Sequence, residues 1–173
     1  MGAIPILDNA SERFILSENI VKYLEFLSEQ IKINPTNFEI FSFAILKNHL
    51  EKFACKLYRD TRTSAYDKGV DLSTNFGVVY QIKKLKLLNQ SSADEVFKEL
   101  QSNFSEDRIK DGNVVLVIDD ISSDIKSFLI NMKVQSISRE DILKLASLME
   151  VEDRMNVLRI VFEEFSREYK SDI

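Results

Sequence analysis

The sequence has few of the residues that form disulfides or transition-metal sites. Its 173 residues include one cysteine, one histidine and no tryptophan. A single cysteine, Cys55, cannot form an internal disulfide, which is typical of a protein kept in the reducing cytoplasm. One histidine and one cysteine also cannot build a structural zinc site of the usual type. Any bound metal must therefore be held by oxygen ligands, which favour Mg²⁺ or a similar hard ion.

Residues that break regular structure are also scarce, since the chain has only four glycines and two prolines. Helices and strands should therefore dominate. No window contains the run of about 18 apolar residues that a membrane span needs. The first eight residues lack the basic stretch and apolar run of a signal peptide. We expect one cytoplasmic domain, residues 1–173, with no membrane partner, which can be a piece of a longer protein.

The formal net charge of −5 is unusual for a protein that binds nucleic acid, but the charge is unevenly distributed. Six basic residues and three acidic ones lie between positions 59 and 86. A locally basic face of this kind is compatible with phosphate contact. A solvated surface with ordinary charge fluctuation explains the same stretch equally well.

The hydrophobic periodicity predicts an α/β protein with a mixed central sheet flanked by helices. Predicted helices cover residues 17–31, 92–104, 124–132 and 139–149, with a final helix over 155–169. Another helix begins at Thr36, where Thr36-x-x-Glu39 has the form of a capping box, and its apolar stripe continues to Leu57. Predicted strands cover 70–84 as a hairpin, 114–118 buried on both faces, and 134–137. We divide the chain into an N-terminal helical extension (1–35), a core (36–140) and C-terminal helices (141–173).

The hairpin carries the most informative pattern. Residues 70–84 alternate with period two around the loop Asn75-Phe76-Gly77, whose glycine suits a left-handed conformation. Residue numbers paired across this loop should sum to 152, which places Asp71 opposite Gln81. Asp71, Gln81 and Lys83 then share an exposed polar face, and the other face belongs in the core.

This polar face has the groups that phosphodiester hydrolysis requires. A cation must offset the developing negative charge, and a water must be positioned for attack. The Asp71 carboxylate, the Gln81 amide oxygen and the Ile82 carbonyl can ligate Mg²⁺, and Lys83 can orient and polarise the attacking water.

The run from Asp67 to Lys83 resembles the PD-(D/E)XK nuclease signature, in which an aspartate precedes an acid-x-Lys on the next strand. Gln81 replaces the usual acid, as in the Asp…Gln-x-Lys pattern of Mrr-like restriction nucleases. Phe38-Glu39 and Asp67-Lys68-Gly69-Val70-Asp71 match that pattern as well. With the C-terminal part, the hairpin is similar to HaeII-type restriction endonucleases. The resemblance implies a Type II enzyme that cuts duplex DNA with Mg²⁺, with Glu39 as a further metal ligand.

Several assignments keep a plain structural alternative. The capping box by itself explains the glutamate at position 39. Arg62, Thr63 and Ser64 either bind a DNA phosphate or form an ordinary polar loop. The remaining candidate DNA contacts are Lys68, Lys84 and Lys86. The terminal helix stripe suits a core better than the interface of a possible homodimer. Alternative functions are an effector nuclease of another antiphage system, a DNA resolvase, or a non-catalytic DNA- or protein-binding domain with the nuclease fold.

Overall fold

The computed structural model describes residues 4–59 and 70–170, and they fall into two compact units. One unit comprises residues 1–54 and 142–173, and the other comprises residues 55–141. The helices are α1 (Ala10–Glu18), α2 (Ile20–Ile33), α3 (Pro35–Glu51), α4 (Gln90–Asn103), α5 (Glu106–Lys110), α6 (Ser123–Asn131), α7 (Arg139–Ser147) and α8 (Val151–Lys170), with a short 3-10 helix, Pro5–Asp8, before α1. The strands are β1 (Leu57–Arg59), β2 (Val70–Thr74), β3 (Val79–Leu87), β4 (Val114–Ile121) and β5 (Gln135–Ser138).

The unit formed by residues 1–54 and 142–173 is helical and is organised around α3. Helix α3 packs against α2 and α8, and α1 packs against α8. Most residues of α3 are buried, as expected of a helix that is apolar nearly all round. The ring of Phe41 meets Phe26 and Phe165 edge to face, with ring centroids 5.8 and 6.1 Å apart. These aromatic contacts join α2, α3 and α8 in one core.

Helix ends in this unit differ from the sequence prediction because asparagines cap them. Asn19 separates α1 from α2, so the single helix predicted over residues 17–31 is wrong at its start. Asn34 caps α3 by accepting a hydrogen bond from the Asn37 amide at 2.8 Å, and Pro35 occupies the first helical position. Thr36 is therefore inside the helix, and the predicted capping box is not formed. Helix α3 also ends before Leu57, which lies in β1.

The unit formed by residues 55–141 contains a mixed five-stranded sheet in the order β1-β2-β3-β4-β5. The pairs β1–β2 and β2–β3 are antiparallel, whereas β3–β4 and β4–β5 are parallel. The first six residues of β4 are buried, which confirms the prediction of a strand covered on both faces. The α/β class with a mixed sheet flanked by helices is therefore confirmed. Strand β1 and helix α5 were not predicted.

Helices α4 and α6 cover one face of this sheet. Their apolar residues form a core with alternate residues of β4, namely Val114, Leu116 and Ile118. The helices contribute Ala93, Val96, Leu100, Ile125 and Leu129 to this core. Because side chains alternate along a strand, the β3 residues paired with Leu116 and Ile118 face the same helices.

Candidate active site

The hairpin β2–β3 has the predicted register. Asp71 pairs with Gln81, and Leu72 pairs with Tyr80, so paired numbers sum to 152. Gly77 closes the loop with φ +84°, in the left-handed region that glycine adopts without strain. For Asp71 the structure describes the backbone, and directly opposed residues of a ladder belong to the same face. Asp71, Gln81 and Lys83 are thus on one face of the sheet, as expected.

That face is not exposed as predicted, because α4 covers it. In the parallel pairing of β3 with β4, Gln81 lies beside Leu116 and Lys83 beside Ile118, two residues of the α4–α6 core. Gln81 is 5% exposed and Lys83 only 2% exposed. The prediction of an exposed polar face is therefore wrong for these two side chains. The side chains of Gln81 and Lys83 are thus held within the packed interior of the domain.

Strand β3 is irregular immediately after Lys83. Lys83 pairs with Ile118 and Lys86 with Asp120. Between these two pairs β3 advances by three residues, whereas β4 advances by only two. This extra residue is a β-bulge, a feature that re-aims side chains and is common beside active sites. The regular alternation that places Lys83 on the α4 face therefore ends at the next residue.

The buried ammonium of Lys83 forms an ion pair with the carboxylate of Glu99 on α4. Placing a charged group in the interior costs several kcal/mol unless a partner compensates it. The side chain of Glu99 is 37% exposed, so it lies at the boundary between the core and solvent. Glu99 carries no signal in the sequence, because a glutamate between the buried positions of an amphipathic helix resembles an ordinary surface residue.

The predicted DNA-binding residues fall into three groups. Arg62, Thr63, Ser64 and Lys68 lie outside the described residues, as does Asp67 of the predicted motif. Lys84 is 3.8 Å from the carboxylate of Asp119, which also pairs with Arg139 at 3.0 Å. Lys86 is exposed on the last part of β3. The ammonium of Lys86 is therefore accessible to solvent, and a DNA phosphate could contact it.

Glu39 lies in the second turn of α3, in the helical unit, whereas Asp71, Gln81 and Lys83 belong to the sheet unit. The cap made by Asn34 removes the structural explanation that the sequence offered for Glu39. Its assignment as a metal ligand remains a prediction.

The chemistry of the donor set fits a hard cation. A carboxylate at Asp71, the amide of Gln81 and the carboxylate of Glu99 all offer oxygen. Among the side chains that the structure describes, which do not include that of Asp71, no three of histidine, cysteine or acidic type are grouped so that they could hold a metal. Mg²⁺ does not require such a group, since it is usually bound through one or two carboxylates and keeps several waters.

A mixed sheet whose central hairpin continues into two parallel strands, covered by helices, is consistent with a restriction-endonuclease-like core. Comparison with known protein families gives the same answer, with a match over residues 17–160. The chain belongs to the HaeII restriction endonuclease family. Membership of this family implies a nuclease that acts on DNA. No curated protein and no solved structure matches the chain. In the described part of the chain, no helix is both long enough and apolar enough to span a membrane.

Proposed function

We propose that the chain is a Mg²⁺-dependent, Type II-like restriction endonuclease of the PD-(D/E)XK kind. It hydrolyses phosphodiester bonds of duplex DNA in the cytoplasm and leaves 5′-phosphate and 3′-hydroxyl ends. The observation that carries the proposal is the buried Lys83, which lies on the same sheet face as Gln81 and as the position of Asp71. Lysine is almost never fully buried unless it is paired, and apolar residues of similar volume often stabilise a core equally well or better, so stability alone does not explain the burial of Lys83.

Each residue has a separate role in this proposal. Asp71 supplies a carboxylate to the cation, with Gln81, the Ile82 carbonyl and Glu39 as additional oxygen ligands. The bound cation supplies charge neutralisation and a more acidic water. Lys83 donates hydrogen bonds that orient the attacking water, and its dry surroundings strengthen that interaction. Phosphate contacts come from Arg62, Thr63, Ser64, Lys68, Lys84 and Lys86.

Concerted cleavage of both strands of a duplex needs two hydrolytic centres, one for each strand. One hairpin β2–β3 supplies one set of Asp71, Gln81 and Lys83. We therefore propose that the active form on DNA is a homodimer. Sedimentation of the protein with and without a short duplex would show one chain per duplex if this assignment is wrong.

The decisive test of the activity is plasmid cleavage with Mg²⁺ by the parent and by Asp71→Ala. We expect the variant to fold and to lose cleavage, because the substitution removes the carboxylate of the motif. Asp120→Asn is the matched control, since Asp120 is an exposed aspartate on β4 of the same sheet. This control should cut like the parent.

The pattern of products distinguishes the remaining functions. Discrete bands indicate site-specific restriction, whereas a smear indicates a non-specific effector nuclease. Cleavage confined to branched substrates indicates a resolvase. A folded Asp71→Ala variant that cuts at the parental rate would refute the catalytic assignment, and a parent that binds DNA without cutting it would leave a non-catalytic binding domain.

A further inference from the structure

Glu99 brings a carboxylate to a site whose sequence motif lacks one. The acid-x-Lys motif ordinarily places a carboxylate two residues before the lysine, but here that position holds the neutral Gln81. Glu99 reaches the same lysine from α4, and its carboxylate contacts the Lys83 ammonium. The charge missing from β3 is thus present on the helix that covers β3.

Lys83 and Glu99 differ in burial, and the difference indicates which of the two can reach a cation from solvent. Lys83 is 2% exposed and depends on Glu99 for compensation of its charge, whereas Glu99 is 37% exposed. A carboxylate has two oxygens and about four lone-pair sites, so one contact with an ammonium does not exhaust its capacity. Glu99 can therefore accept a solvent-borne cation while it holds Lys83.

The neighbours of Glu99 on α4 fix its position. Val96 and Leu100 are buried in the core between α4, α6 and the sheet. Residues three or four apart on a helix share a face, so these two anchor the turn that carries Glu99. The next glutamate towards the N-terminus of α4, Glu95, is exposed. The helix thus holds one of these two glutamates against Lys83 and leaves the other in solvent.

We propose that Glu99 is the second carboxylate of the active site and substitutes from α4 for the acid that Gln81 replaces on β3. This inference rests on the proposed function, since it assigns a residue to the same metal-dependent site. It predicts that metal affinity depends on Glu99 and that a carboxylate at position 81 can replace it. A merely structural ion pair predicts neither result.

The primary experiment measures Mn²⁺ binding by titration calorimetry, without DNA, for the parent, Glu99→Gln, Gln81→Glu and the double variant Gln81→Glu/Glu99→Gln. We expect Glu99→Gln to weaken Mn²⁺ binding by at least about tenfold, a loss typical of altered metal-site partners. The double variant should recover affinity close to that of the parent, and cleavage of plasmid DNA should follow the same order. Glu95→Gln is the matched control and should bind Mn²⁺ like the parent.

A second pair of variants removes the danger that an unpaired Lys83 prevents folding. Lys83→Met retains Glu99 without the buried ammonium, and Lys83→Met/Glu99→Gln removes both charges. The first should bind Mn²⁺ like the parent, and the second should lose at least about tenfold in affinity. Thermal melts of both proteins establish that they are folded.

The outcomes separate this inference from the proposed function. Unchanged Mn²⁺ affinity after loss of Glu99 in either background overturns the inference, as does a double variant that fails to recover. A parent that binds no Mn²⁺ overturns it as well. Mn²⁺ binding that depends on Glu99, in a protein that cuts no DNA, supports the inference and refutes the nuclease function.

Discussion

Replacing Lys83 separates the packing role of its side chain from its chemical role. Lys83 is among the largest fully buried side chains of the described residues. Lys83→Ala removes three carbons and the ammonium from the interior. Lys83→Met keeps nearly the same volume and removes only the charge. Both variants lose the group to which we assign the orientation of the attacking water, so the proposed function predicts that both are inactive, but their stabilities should differ.

The expected difference in stability between the two variants follows from the burial of the Lys83 side chain. Large-to-alanine changes in a core cost about 2–5 kcal/mol, and the Lys83→Ala variant lies in this range. In a protein of this size the melting temperature falls by roughly 2–4 °C per kcal/mol, so a fall of roughly 4–20 °C is expected. Lys83→Met is expected to cost less stability than Lys83→Ala, because it leaves no large cavity and removes the buried positive charge. The Glu99 left behind is partly exposed and can be hydrated.

The assays are urea unfolding, a thermal melt and plasmid cleavage with Mg²⁺, carried out on the same preparations. Lys86→Met is the control for the two stability measurements, because Lys86 is an exposed lysine on the same strand. Its stability should change by less than about 0.5 kcal/mol. An alanine variant that melts with the parent would show that Lys83 is not packed in the interior. A folded methionine variant that cuts at the parental rate would remove Lys83 from the catalytic mechanism.

Three further expectations concern other parts of the chain. Gly77→Ala should cost about 1–2 kcal/mol in urea unfolding, because alanine is strained at φ +84° although nothing lies within 4 Å of the added carbon; a parental midpoint would contradict this. Asp153→Ala should destabilise the protein by about 1 kcal/mol or more near neutral pH, because its carboxylate accepts hydrogen bonds from Lys52 at 2.8 Å and Asn48 at 3.3 Å. Burial alone would raise the pKa of Asp153, but these hydrogen bonds outweigh it and lower the pKa. Its contribution should therefore be present above about pH 4 and be lost as the pH falls further, so parent and variant should converge in melts at acid pH. For Glu39→Gln, a thermal melt and plasmid cleavage are measured together; lost cleavage at the parental melting temperature would support a metal role, and parental cleavage would exclude it.

The hairpin could be predicted from sequence because its determinants are local. Alternating apolar residues fix which face of each strand turns inward, and Gly77 fixes the loop that sets the register. The pairing of Asp71 with Gln81 follows from these two facts alone. The buried strand β4 was also predictable, because an unbroken aliphatic run is stable only when both faces are covered.

What could not be predicted depends on contacts between distant segments. The polar residues of β3 indicate an exposed face by composition, but α4 covers Gln81 and Lys83 in the folded chain. Glu99 is 16 positions after Lys83, and no spacing rule links a strand residue to a residue of the following helix. Helix ends were misplaced where Asn19 and Asn34 provide caps, since several nearby polar residues could serve equally well.

The burial of Lys83 links the chemistry of the site to the stability of the domain. A dry environment strengthens the interaction of an ammonium with a developing negative charge, which favours catalysis. The same environment makes the ammonium costly unless Glu99 stays beside it. Loss of Glu99 alone therefore threatens both folding and activity, whereas loss of both charges threatens activity only. The proposed roles therefore predict that a related chain without nuclease activity can replace both residues with apolar ones, whereas an active relative keeps Lys83 together with a carboxylate at position 99 or at position 81.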